Sequence, residues 1–183
     1  MPRITTPREG IPAGAWAAGR PIPSPLRLHD TAVAPEWTAY NGHMSESAYL
    51  LVFGDSTDAF FRFVGVDEAY RASGRSLFTA ETHLRHLREA RVGDRLTLTL
   101  QVLGMDAKRL HIVHEMWVGD DRLACTAEQL LLHVNSLRGL SPATRVAPFP
   151  SELTARLQDI RAAHAVLPVP GYAGRSIPAP GAR

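Results

Sequence analysis

The apolar residues of this chain alternate between two periods, and each change of period marks a new element. Leu26, Leu28 and then Val33 form a short, imperfect alternation that suits a strand, and Pro35 stops it. Leu50, Phe53, Phe60, Phe61 and Val64, with Thr57 among them, then recur at spacings of three and four. That spacing predicts a helix with one broad apolar face. Ser45 is placed to cap its start and Gly65 to stop it. Asp55, Asp58 and Arg62 fall at helical spacings for contacts with one another, as they also would on a solvated face.

From Ser76 onward the period becomes two. "LFTAETHLRHL" reads as a strand and "RVGD" as the turn after it. Leu96, Leu98, Leu100 and Val102 alternate with Thr97, Thr99 and Gln101, so that strand has one apolar face. "GMDA" closes a hairpin. Leu110, Ile112, His114, Met116 and Val118 share a face of the next strand, "GDD" turns again, and "LACTAEQLLLHVN" runs back. This predicts an antiparallel meander. A second helical pattern spans Ser151 to Val166, and "LPVPGYAGRSIPAPGAR" after it holds too much proline and glycine to be regular. One apolar helix and about four antiparallel strands must bury their faces on each other, which predicts an α+β fold with the sheet wrapped around the helix.

Composition narrows this picture. A chain of 183 residues, 45% hydrophobic and 21% charged, suits one folded domain and neither a disordered nor a fibrous chain. Residues 1–25 are rich in proline and glycine and are expected to form an extended arm. Residues 26–135 would form the domain, and 136–183 a C-terminal helix and irregular tail. The formal net charge of +2 gives no reason to expect nucleic acid or an anionic membrane as a partner. Cys125 is the single cysteine, which excludes an internal disulfide and a cysteine-based zinc cage. No window approaches the ~20 apolar residues of a membrane helix, and the expected compartment is the cytoplasm.

The order strand, "YNGHM", apolar helix, meander resembles the hotdog-fold acyl-CoA thioesterases of the 4-hydroxybenzoyl-CoA thioesterase type, over roughly Leu26 to Asn135. "YNGHMSESAYL" looks like that family's run of Gly-His, a small apolar residue, a polar pair and Tyr-Leu opening the helix. The longer string "PEWTAYNGHM…YLLVFGDSTDAFF…ETHLRHLREARVGDRL…KRLHIVHEM…AEQLLLHV" is similar to a narrower branch. Its members are associated with carnitine catabolism, occur alone or fused to L-carnitine dehydrogenase, and act on betainyl-CoA. The resemblance implies a thioester hydrolase without metal or cofactor, CoA being part of the substrate. It also implies a homodimer or a dimer of dimers with sites shared between chains. One position departs from the pattern. The family's carboxylate sits three residues before the glycine, and here that residue is Ala39. An alanine is neither nucleophile nor base, so another carboxylate serves, or the chain is an acyl-CoA binding or interaction module with impaired catalysis. A hotdog hydratase is disfavoured, because Thr38 stands where those enzymes resemble one another in an aspartate five residues before the histidine.

Thioester hydrolysis requires a polarised carbonyl, a stabilised oxyanion and an activated water or carboxylate nucleophile. The backbone from Gly42 to Ser45, near a helix N-terminus, suits the first two tasks, with Asn41 and His43 as donors or water-orienting groups. A tight turn with an ordinary cap would give the same letters. For the missing base the candidates are Glu36, Glu46, Asp55 and Glu81, with Glu81 and Glu46 ranked first. Trp37 and Tyr40, with Asp55, are candidate substrate-binding residues, and Phe78 is a further aromatic. Aromatic faces attract a trimethylammonium group by roughly 0.5 to 2 kcal/mol per contact. Lys108 and Arg109, after a hairpin turn, are candidates for the CoA phosphates, with Arg85, Arg88 and Arg91 as competitors. In "HLRH" and "HIVH" a spacing of three puts the two histidines on opposite strand faces, so no metal is expected.

Overall fold

The computed structural model describes residues 16–135, 145–175 and 177; most of the expected N-terminal arm and residues 136–144 lie outside this range. The period-two segments form β1 (Leu26–Ala32), β2 (Arg75–His86), β3 (Arg95–Met105), β4 (Arg109–Val118) and β5 (Arg122–Asn135), joined by a two-residue β6 (Arg145–Val146). The helical periods form α1 (Glu46–Phe63) and α3 (Ser151–His164), with a single-turn α2 (Glu68–Ala72) between α1 and β2. The sheet is antiparallel in the order β1-β3-β4-β5-β2, and β6 pairs with the end of β5. It curls around α1 in the hotdog arrangement that the resemblance implies. Irregular register between Leu26 and His29, Thr79 and Glu81, Val102 and Gly104, and Met116 and Trp117 bends the strands to that shape.

Helix α1 is held at both ends by backbone geometry. Gly65 takes φ +86°, the Val66 N–H donates to Phe61 O at 2.7 Å and the Gly65 N–H to Arg62 O at 3.1 Å. This pair of bonds satisfies carbonyls that the last turn would leave open, and Val66 packs back on the same core as Phe61. At the start, Ser45 occupies the cap position in an extended conformation, but its side chain makes no capping bond.

The core has two apolar halves. Toward the C-terminal end of α1, Ala59, Phe60 and Val64 pack on Leu100, Val102, Ile112 and Leu131, and α3 adds Leu153, Leu157 and Ile160. Toward its start, Ala48, Tyr49, Val52 and Phe53 pack on Leu96, Leu98, Met116 and Ala127, with Trp37 and Met44 closing over them. Phe53 and Phe60 are fully buried, each contributing about 1.5–3 kcal/mol. A polar knot is also buried in this interior. Ser56 Oγ lies 3.2 Å from His114 Nδ1, Thr57 Oγ1 lies 3.2 Å from His114 Nε2, and Thr57 Oγ1 lies 2.9 Å from Gln129 Oε1. Burial depresses the His114 imidazole to about 3, so it is neutral.

Helix α3 is fixed to the sheet by more than apolar contact. β1 pairs with β3 only as far as Leu100, and beyond it His164 Nδ1 accepts the Val102 N–H at 2.9 Å. His164 Nε2 lies 3.2 Å from Pro23 O, so one buried imidazole joins helix, strand edge and the chain before β1. After α3 the tail crosses the face of the sheet opposite α1. Gln101 Nε2 donates to Pro168 O at 3.3 Å, Tyr172 Oη to Glu115 Oε1 at 3.1 Å, and the Gly174 N–H to Glu128 Oε1 at 2.9 Å.

Candidate active site

The stretch before α1 folds into a small hairpin of its own. Thr38 bridges to Met44, the Ala39 N–H donates to His43 O at 2.8 Å, and the Gly42 N–H donates to Ala39 O at 3.0 Å. The loop Tyr40–Gly42 needs a left-handed residue at its end, and Gly42 supplies it with φ +75°. A Cβ at Gly42 would meet no atom within 4 Å, so conformation rather than space selects glycine there. Asn41 Oδ1 accepts the His43 N–H at 3.2 Å, and Asn41 is exposed at the turn. The tip therefore precedes the helix instead of forming its first turn, which begins at Glu46.

A third segment lies against this hairpin. His43 bridges to Arg91, and the Met44 N–H donates to Ala90 O at 2.8 Å. Cross-strand partners share a face, as do residues two apart on one strand. Ala39, His43, Arg91 and Glu89 consequently stand on one side of a three-segment patch. His43 Nε2 is 3.9 Å from Glu89 Oε1, and Arg91 Nη2 is 3.2 Å from the same oxygen. Tyr49, on the first turns of α1, clasps the segment that carries Glu89. Its hydroxyl donates to Arg88 O at 3.4 Å and accepts the Ala90 N–H at 3.0 Å. Burial raises the Tyr49 phenol above its ordinary value, so it remains a donor.

The sequence-derived candidates fall into separate places. Asn41, Gly42 and His43 are together on the hairpin, and Glu46 is exposed one helical turn away. Glu36 is exposed on the short 3-10 turn Pro35–Trp37 before the hairpin. Glu81 is opposite Leu130 on β5, on the sheet face away from α1. There it lines a cleft of about 630 Å³ with His83, His111, Glu128 and Arg175, in which His111 Nε2 meets Glu128 Oε1 at 2.7 Å. Asp55 is buried on α1, next to the Ser56–Thr57–His114 knot. Trp37 is buried in the core, Tyr40 is wholly exposed at the hairpin tip, and Phe78 is on the outer sheet face. Within one chain these three aromatics do not meet.

Of the basic candidates, Arg109 is paired with Asp106 at 2.6 Å, and the Lys108 N–H donates to the same carboxylate at 2.9 Å. The backbone bond from Lys108, then the Arg109 side chain, hold Asp106 down to about 2. Arg85 lies over the Tyr172 ring, Arg88 is exposed, and Arg91 is at the hairpin. His83 faces the outer cleft, whereas His86 stacks edge-on with Tyr49, and His111 and His114 likewise face opposite ways. Among the described residues, no group of three or more His, Cys, Asp or Glu is placed to hold a metal ion. Sequence reasoning missed Glu89 and Tyr49. Glu89 belongs to the unpatterned "REARVGD", and only its spacing of two from Arg91 hinted at a shared face.

The family model for the thioesterase-like superfamily matches residues 33–157. A betainyl-CoA thioesterase of Pseudomonas aeruginosa is 46% identical over 86% of this chain and 98% of its own length. An L-carnitine dehydrogenase/betainyl-CoA thioesterase of Rhizobium meliloti is 46% identical over 84% of this chain. The chain spans only 30% of the length of that relative. A Staphylococcus aureus protein solved in complex with CoA is 25% identical with a TM-score of 0.76, covering 87% of this chain and 99% of the other.

Proposed function

The chain belongs to the thioesterase-like superfamily, and from that premise we propose that it hydrolyses a short-chain acyl-CoA, betainyl-CoA foremost, to the free acid and CoA. The observation that carries this reading is the 46% identity to a stand-alone betainyl-CoA thioesterase along nearly all of that protein. The geometry supports it. A hairpin turned at Gly42 presents the Asn41 and His43 side chains just before α1. The backbone N–H groups of Gly42, His43, Met44 and Ser45, expected from the sequence to face a thioester, are instead taken up by Ala39 O, Asn41 Oδ1, Ala90 O and Trp37 O. Side chains and the helix dipole are left to favour developing negative charge. The same relatives support a role in carnitine metabolism. The rival reading, a binding module without activity, rests on Ala39 alone and is not favoured.

Thiol release from betainyl-CoA and acetyl-CoA tests the proposal directly. Cys125 is buried and burial pushes its thiol up to about 12, so the protein adds little background to a thiol reagent. Release no faster than the uncatalysed rate from every short acyl-CoA would reject it. Such a thiol also suits a reducing cytoplasm. Among the described residues no helix is long and apolar enough to cross a membrane.

The same reading includes a partner subunit. β2 is twelve residues long and forms one edge of the sheet, and a long unpaired edge is a template for another strand. A homodimer, or a dimer of dimers, joined across β2 would cover it. Light scattering at micromolar concentration should give at least twice the chain mass, and a stable monomer would exclude this assembly.

A further inference from the structure

We infer that Glu89 is the carboxylate partner of His43 in this chain, supplying from one flank of the imidazole what Ala39 does not supply from the other. The inference rests on the thioesterase reading and deepens it. Ala39 and His43 are cross-strand neighbours on the hairpin, joined by the 2.8 Å bond from the Ala39 N–H to His43 O. A carboxylate at residue 39 would stand beside the imidazole, at the ~5 Å spacing of paired Cβ atoms. Alanine leaves that flank bare. On the other flank His43 bridges to Arg91, and Glu89, two residues before Arg91, brings Oε1 to 3.9 Å from His43 Nε2. Glu89 is the one carboxylate that meets the hairpin among the described ion pairs.

The placement of Glu89 is built, not incidental. Tyr49 bonds the backbone on both sides of it, at Arg88 O and Ala90 N–H, and the Met44 N–H bonds Ala90 O. Arg91 holds the carboxylate from the outer side at 3.2 Å. The charged groups facing His43 are thus Glu89 and Arg91 on this segment, with Glu46 exposed on the first turn of α1.

Glu89 acts as a positioning residue. Its Oε1, 3.9 Å from Nε2, is beyond hydrogen-bond length and acts on the imidazole through charge, while a water molecule is taken up at Nδ1. That water attacks the thioester carbonyl carbon as His43 Nδ1 takes its proton, and a C–O bond forms. Glu89 stabilises the imidazolium. Collapse of the tetrahedral intermediate breaks the C–S bond, and the proton held by His43 passes to the leaving CoA sulfur, giving the free acid and the thiol.

The test compares the wild type with Glu89→Gln, Ala39→Asp and the double variant. Glu89 is half-exposed, so Glu89→Gln does not threaten the fold. Expected is a fall in kcat of at least tenfold for E89Q with KM changed less than threefold. Ala39→Asp alone should change kcat less than threefold, whereas adding it to E89Q should restore kcat to within threefold of wild type. Retention of more than half of kcat by E89Q, or a double variant no better than E89Q, overturns the inference. A wild type inactive on every acyl-CoA would instead reject the thioesterase reading, whereas an active wild type with an equally active E89Q overturns only the role of Glu89.

Discussion

At the residue scale, the candidate site depends on a tyrosine whose hydroxyl bonds the backbone on both sides of Glu89. Ala90 is fully buried and its N–H is satisfied by the Tyr49 hydroxyl at 3.0 Å. Tyr49→Phe preserves the ring in the core but strands that N–H, a loss of about 1–3 kcal/mol. It also frees the backbone on both sides of Glu89. The variant should therefore unfold at lower denaturant and lose turnover together; unchanged stability in a denaturation curve would mean that water replaces the hydroxyl. Tyr49 and Glu89 also show what a sequence leaves illegible. Tyr49 fits the apolar stripe of α1, so its role looks like packing alone. Glu89 is one charge in an exposed turn, and nothing local indicates that Arg91 will bridge to His43 from 48 residues earlier. The hairpin letters were legible as turn chemistry around Gly42. Their separation from the first turn of α1 was not, because a cap and a hairpin tip use the same residue types.

At the scale of elements, periodicity carried most of the information. The alternation Leu96 to Val102 and Leu110 to Val118 foretold β3 and β4, because side-chain direction has period two whatever the partner. The helical pattern from Ser151 foretold α3, but not its depth in the fold. Leu157 is fully buried and shares the core half containing Phe60 and Leu100, while His164 bonds β3 where β1 no longer pairs with it. Helix α3 packs into the same apolar cluster as α1 and the sheet. Leu157→Ala is expected to cost about 2–5 kcal/mol, measured by chemical denaturation. A change below about 1 kcal/mol would place α3 outside the cooperative unit. The tail beyond α3 gave no periodic signal at all, since proline and glycine mark only what a segment cannot be. Its course over Glu115 and Glu128 depends on hydrogen bonds between residues far apart in sequence.

At the scale of the whole molecule, buried histidines set the response to acid. Burial lowers His29, His114, His133 and His164 in the folded protein. The unfolded chain binds a proton at each near its ordinary value of about 6.5, whereas the folded chain does not. Stability is then full above about pH 6.5 and falls as pH drops below it. For His114, neutral in the fold down to about 3, the loss between pH 6.5 and 5 is about 2 kcal/mol. Thermal melts should show the midpoint falling over that range, and His114→Gln should flatten the fall. A variant with the wild-type pH slope would show that His114 does not carry it.

The knot around His114 has a consequence beyond acid lability. Ser56 and Thr57 meet His114 and Gln129 between two purely apolar regions. If α1 slid by one turn or rotated by one residue, hydroxyls would face leucines and the imidazole would be left without partners. The knot is a notch that admits α1 at a single setting. Tyr49 lies about 10.5 Å along the axis from Ser56, seven residues away, and it grips the segment carrying Glu89. The alignment of the Asn41–His43 hairpin with the segment carrying Glu89 is thereby calibrated two turns deeper along α1.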